Sequence, residues 1–472
     1  MPRMIRWADK LRVVLILLAL LLAAVAPFVA SGYADLRRAE DAQAAKDYVA
    51  AAQYYKLAAN KLPWRPELLE RAAIAMVHVD ADSAIALFEQ VRARGALSAN
   101  GWDMYGAAYW TTSRDKPALD IWMAGLQQYP SYAEFYYLIH LAYRQLGDYP
   151  SEKLWLEKWL ATGKGRSLDH YEMGLLLMAT NPARARTEFA LSSSMEPDSV
   201  SAVQTLETSL DLAARQSDDS SRLVVIGRGL GLVNQWPLAE SVFEQAVNAN
   251  QQNPEAWAWL GEARQEDLGD GKPELDKALS LDPNNTMVRA LRGLYWKRQG
   301  KYSAQLAEYL RAAQVEPENP EWQAALGEAY TSTGDLVSAL SAYQKATSLA
   351  PEKATYWRLL ALFSVDNGVQ ILDVGLPAAK KAGELAPNDP QVLDALGWSF
   401  AQAGLLYNAE QTLIKATDLA PGNSLAHLHL AETYLRAGDQ TSALRELKVA
   451  RELDGEGAVG TLAAQLIQQY FP

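Results

Sequence analysis

Histidines, paired carboxylates and glycine-rich turns come first, because such groups ligate metals, move protons and cradle phosphates. The five histidines are His78, His140, His170, His427 and His429. None belongs to an HExxH pair. His427 and His429 stand two apart, so on one helix they point to different sides and do not share a metal. Asp80 and Asp82 begin like a calcium loop. No glycine follows at the sixth position, however, and Val91 stands where a bidentate glutamate belongs. Gly163-Lys164-Gly165-Arg166-Ser167 is basic and glycine-rich, but it lacks phosphate-loop spacing and follows a helical pattern, so it reads as a turn. No nucleophile elbow, dinucleotide fingerprint or kinase set occurs. The chain has no cysteine, which excludes disulfides and thiolate-ligated zinc. The expectation is a protein with no catalytic residues, no cofactor and no metal site.

What elements carry these residues? Pro283, Pro317, Pro351, Pro387 and Pro421 lie 34, 34, 36 and 34 residues apart. Such a period marks a stacked repeat array. In residues 320–353, Leu326, Gly327 and Tyr330 lie on one face of a helix. Gly334-Asp335 makes a turn, and Ala339, Tyr343 and Ala346 line a second helix before Pro351. Gly327 and Ala339 leave room for close helix approach. Gly334 suits a left-handed helix end. Residues 390–423 repeat the offsets with Leu396, Gly397, Phe400, Gly404, Ala409, Leu413 and Ala416. Residues 424–457 do so with Leu430, Ala431, Tyr434, Gly438, Ala443, Leu447 and Ala450.

This helix–turn–helix unit resembles the tetratricopeptide repeat family. Residues 99–132 also match, through Trp102, Gly106, Tyr109, Ala118, Trp122, Gly125 and Pro130. Residues 133–165 and 220–253 match in part, and residues 32–65 keep only the second-helix half. The fold class expected is an all-α solenoid superhelix of about twelve such repeats, preceded by one transmembrane helix. Some units depart from the pattern. Pro254 to Pro283 spans only 29 residues, which predicts a short second helix; residues 351–387 carry two extra; residues 199–215 read as a lone helix.

In the family, the first helices of the units line a concave groove, so the resemblance implies which residues face it. They are Trp110, Tyr137, Arg144, Tyr171, Arg228, Glu262, Glu266, Lys297, Arg298, Glu328, Trp398 and Arg436. Aromatic rings beside arginines suit an extended peptide or a sugar polymer. The Lys/Asn set with which some members clamp a peptide carboxylate does not occur at the matching offsets. Residues 102–159 hold five Trp, eight Tyr and one Phe, against 9% aromatic overall. Trp102, Tyr109, Trp122, Tyr136 and Tyr143 sit at core offsets. That leaves Trp110, Tyr137 and Tyr132 as candidates for binding.

A net charge of −12 argues against nucleic-acid binding, which needs clustered Lys and Arg. Residues 13–30 form an uncharged apolar run, nearly enough to cross a bilayer core. Arg3, Arg6, Lys10 and Arg12 precede it, and mixed charges follow. The positive-inside rule then puts the N-terminus in the cytoplasm and the repeats outside. A retained anchor is preferred over a signal peptide cleaved near Ser31 or Ala34, with Gly32 as a flexible joint. The organisation expected is a cytoplasmic tail (1–12), a membrane helix (13–31) and aromatic-rich repeats (32–198). An irregular segment (199–253), regular repeats (254–457) and a capping helix (458–472) follow. The function expected is a non-enzymatic scaffold for protein or peptide partners at a bacterial-type envelope. The alternative is a guide for a nascent envelope polysaccharide.

Overall fold

The computed structural model describes residues 2–95, 97–196, 200–267 and 269–471. Among the described residues the chain is about 80% helical, in 26 α-helices, and has no strand. Two units can be distinguished. One comprises Met1–Gln216 with Val225–Val242, the other Ser217–Val224 with Phe243–Pro472.

In the second unit the hairpin grammar is plain. Asn319, Asp389 and Asn423 cap helices by accepting backbone N–H bonds, and Pro320 and Pro390 occupy first helical positions. Gly334 and Gly438 end helices at φ 83° and 84°, a conformation that costs glycine nothing. The next residues, Asp335 and Asp439, cap the following helices on Ser338 and Ser442. Within the hairpin Pro320–Thr333 with Leu336–Leu349, a Cβ on Gly327 would lie 2.7 Å from the Tyr343 ring. At Gly397 a Cβ would meet Leu413 Cγ at 2.5 Å. Gly397→Trp should therefore overpack this contact and cost at least roughly 1–3 kcal/mol. The check is a lower thermal midpoint; an unchanged one would contradict the contact.

Each hairpin buries its apolar face on the next. Ala339, Tyr343, Leu360 and Phe363 form one cluster, and Ala409, Leu413, Leu430 and Tyr434 another. The short second helix is Lys272–Leu281, with 10 residues. The two surplus residues of 351–387 fall where a π-helical turn, Ile371–Gly375, follows Gln370 in a left-handed conformation, φ 48°. The final helix, Ala458–Tyr470, packs Val459, Ala463 and Ile467 with Leu428 and Leu447.

In the first unit, buried residues from Leu36 to Ala142 share one core built on Tyr55, Phe88, Tyr105, Trp122 and Phe135. Much of the aromatic stretch is spent there. Helix Val200–Ala213 occupies the place of the expected lone helix, and its Ser209 lies against Gly229 of Asp219–Leu232.

The N-terminus differs from expectation in one respect. A single helix runs from Pro2 to Ala44, 43 residues, through Pro27 and Gly32. Gly32 is not a flexible joint. It is a point of close approach between this helix and the end of the next, and a Cβ there would lie 2.8 Å from Leu62. Asp35, buried beside it, accepts from Lys61 Nζ at 2.6 Å. The first helix missing from the pattern of residues 32–65 is thus the second half of this long one. Its apolar stretch from Leu11 onward is long enough to cross a membrane and is not buried in the protein; Leu21 is 64% exposed.

Candidate functional site

The groove candidates lie on the first helices of successive hairpins, and most reach to a neighbouring repeat. Arg298, from Thr286–Arg298, donates to both oxygens of the buried Glu262 at 2.8 and 2.9 Å and to Glu266 at 2.5 Å. Its neighbour Lys297 reaches the other way, to Glu328 of the next repeat. Farther along, Trp398 Nε1 donates to Asp366 at 2.9 Å, and the ring stacks on His429 at 4.3 Å. The Arg436 guanidinium lies 5.1 Å from the same ring and donates to the Ala401 carbonyl. In the first unit, the Tyr137 hydroxyl accepts from Arg166 at 2.8 Å while the guanidinium covers the ring at 4.8 Å. Arg144 pairs with Glu172.

These partners are 28–38 residues apart, about one repeat, so each contact stitches adjacent hairpins. Within each unit the candidate residues form a ladder of charge pairs and ring stacks, already ordered before any partner arrives. Three candidates stand differently. Trp110 packs 5.7 Å from Trp122, and Tyr171 lies 5.9 Å from Phe189, where burial raises its phenol pKa. Arg228 is exposed on Asp219–Leu232. Tyr132 is taken up by Asp103, 3.1 Å from its hydroxyl.

The chemistry dismissed from sequence resolves into structural roles. Asp80 caps the helix Ala81–Ala93, and Gly163 forms a turn at φ 74°. His170, His427 and His429 contact separate carboxylates, Glu188, Glu446 and Asp394, at 2.7, 2.7 and 2.8 Å.

One cluster escaped the sequence reading. His140 and Arg144 share a face of Glu134–Gln145; Glu152 comes from Tyr149–Leu160 and Glu172 from Ser167–Leu177. His140, Glu152 and Glu172 are buried, and each places a nitrogen or oxygen within 4.8 Å of the others. Among the described residues, neither ring nitrogen of His140 nor Oε2 of Glu152 has a hydrogen-bond partner. Burial pushes the His140 pKa down to about 4 and that of Glu152 up to about 8, Arg144 opposing the latter. Burial also raises Glu172, although Arg144 holds it. At neutral pH the imidazole is uncharged and Glu152 keeps its proton. The three groups lie 12 and 20 positions apart on different helices, so no linear motif could reveal them. The one sequence signal was a histidine four before an arginine on a helical face.

Residues 298–354 match the family model described as Tetratricopeptide repeat. No curated protein sequence matches the chain. Among solved structures, yeast Tom70 is 16% identical, covering 93% of this chain and 95% of its own, with a TM-score of 0.42. The APC/C hetero-tetramer Cut9-Hcn1 gives 13%, 96%, 99% and 0.43 on the same measures. YrrB, described as a TPR protein with an unusual peptide-binding site, gives 20%, 40%, 97% and 0.30.

Proposed function

We propose that this tetratricopeptide-repeat chain is a non-enzymatic scaffold, held to a membrane by its N-terminal helix, that binds protein partners along its first-helix face. The observation that carries this is the ladder itself. Charged and aromatic side chains recur on the first helices of most repeats, and most are held by a neighbouring repeat. A binding surface ordered in advance loses little side-chain entropy on association. Tethering then raises the effective concentration of partners at the same membrane.

The anchor is favoured over a cleaved leader by the packing around Gly32. Cleavage near Ser31 or Ala34 would remove Ser31, whose hydroxyl accepts from Lys61, and part of the Gly32–Leu62 contact. With the anchor retained, the basic residues before it favour a cytoplasmic N-terminus and repeats on the far side. Envelope proteins or peptides are then the partners in reach. The polysaccharide reading is the weaker, because Trp110 and Tyr137 already give ring faces to Trp122 and Arg166.

The test is photo-crosslinking in native membranes. A photoreactive residue at Glu328, on a first helix, is compared with one at Val337, 83% exposed on a second helix. Discrete protein adducts should form from position 328 and not from 337. Losing Glu328 removes only a surface pair with Lys297, worth about 0–1 kcal/mol, so the fold is kept. Equal capture from both positions, or none from 328, would sink the proposed face. Protection of the repeats from protease after opening the outer compartment would reverse the orientation.

A further inference from the structure

We propose that His140, Glu152 and Glu172 form a binding site for one divalent first-row metal ion at the junction of three successive helices. The geometry argues for an occupant. His140 is 0% exposed with neither ring nitrogen partnered among the described residues, and Glu152 is 2% exposed with one free oxygen. Buried polar atoms without partners are costly and uncommon. Here they belong to residues that converge, with a ligand atom from each of His140, Glu152 and Glu172 inside 4.8 Å of the others. A single ion between them would meet all three at once.

The donor set limits the choice of ion. One imidazole nitrogen with two carboxylate oxygens, and no thiolate in the chain, suits Zn2+ or Mn2+ better than Cu+. A hard cation such as Ca2+ takes six or more oxygens and has no use for imidazole. Arg144 is the competitor. It holds one oxygen of Glu172 and approaches Glu152 at 4.0 Å. Its side chain is 36% exposed, so it can turn toward water, and Glu172 has a second oxygen to offer. The ion would pin the hairpin Glu134–Gln145 with Tyr149–Leu160 to the next one through Glu172.

The experiment uses the full chain in detergent, stripped with chelator and titrated with Zn2+, Mn2+ or Ca2+ by calorimetry and thermal unfolding. One equivalent of Zn2+ or Mn2+ should bind, and the unfolding midpoint should rise with its concentration. Ca2+ should do neither. His140→Leu and Glu152→Gln keep the volume without the ligand. Each should fold and lose at least about tenfold in affinity, by the scale of other perturbed metal sites. The proposal fails if no stoichiometric Zn2+ or Mn2+ binding is seen up to about 1 mM, a bound worth only about 4 kcal/mol. It fails equally if both variants bind as the parent does, or if Ca2+ binds in preference.

Discussion

Glu152→Gln should make the protein more stable at alkaline pH, by a margin that grows as pH rises. The reason is the burial that lifts this carboxyl from its ordinary 4.5 to about 8. In the unfolded chain Glu152 gives up its proton near its ordinary value; in the folded chain it keeps the proton until about pH 8. Between those values the folded state binds more protons, so its stability falls as pH rises. Above the folded value the loss is complete. At roughly 1.4 kcal/mol per unit, the parent should lose a few kcal/mol, at most about 5, across that window. Glutamine carries no proton to lose and should remove the Glu152 share of the decline, leaving that of Glu172, whose carboxyl burial also raises. Thermal or urea unfolding in chelator from about pH 5 to 9 reads this directly, with parent and variant nearly equal at the acid end. His140 bends the curve the other way. Its depressed pKa means that stability is lost as pH falls from its ordinary 6.5 toward about 4. A parent curve with no decline above pH 5 would mean that Glu152 is ionised in the folded protein.

The second large effect is expected at Arg298. Glu262 is buried with both oxygens on this guanidinium, and Glu266 adds a third contact. Arg298→Ala strands a buried carboxylate between two repeats. Breaking a buried pair costs about 3–5 kcal/mol; discounted for the partial exposure of Arg298, roughly 2–4 is expected. Adding Glu262→Gln should recover much of the loss, because the stranded charge is gone. A double-mutant cycle followed by urea unfolding measures the coupling. Additive losses in the cycle would show that the pair does not join these repeats energetically.

The repeats were legible because they are periodic. Gly327 facing Tyr343, Gly397 facing Leu413 and the short helix before Pro283 all follow from offsets counted along the chain. The candidate face was legible as residue types on first helices. Its pairing was not, because each contact joins residues a whole repeat apart, and spacing alone does not say whether Arg298 meets water or Glu262. Nor was the cluster of His140, Glu152 and Glu172 visible, since convergence from three helices leaves no short motif. Gly32 misled for a related reason. Glycine after an apolar run reads as freedom, whereas here its missing side chain admits Leu62.

The unbroken helix from Pro2 to Ala44 has a mechanical consequence. On the proposed placement of residues 13–31 in lipid, no swivel would separate bilayer from scaffold; the helix would be a lever whose far arm is part of the first hairpin. A change in bilayer thickness that tips the lipid-embedded arm would tip that hairpin with it. Inserting one residue in the shared stretch would turn the hairpin by about 100° and lift it by about 1.5 Å. The compass heading of the first repeat is therefore written into the number of residues in that rod.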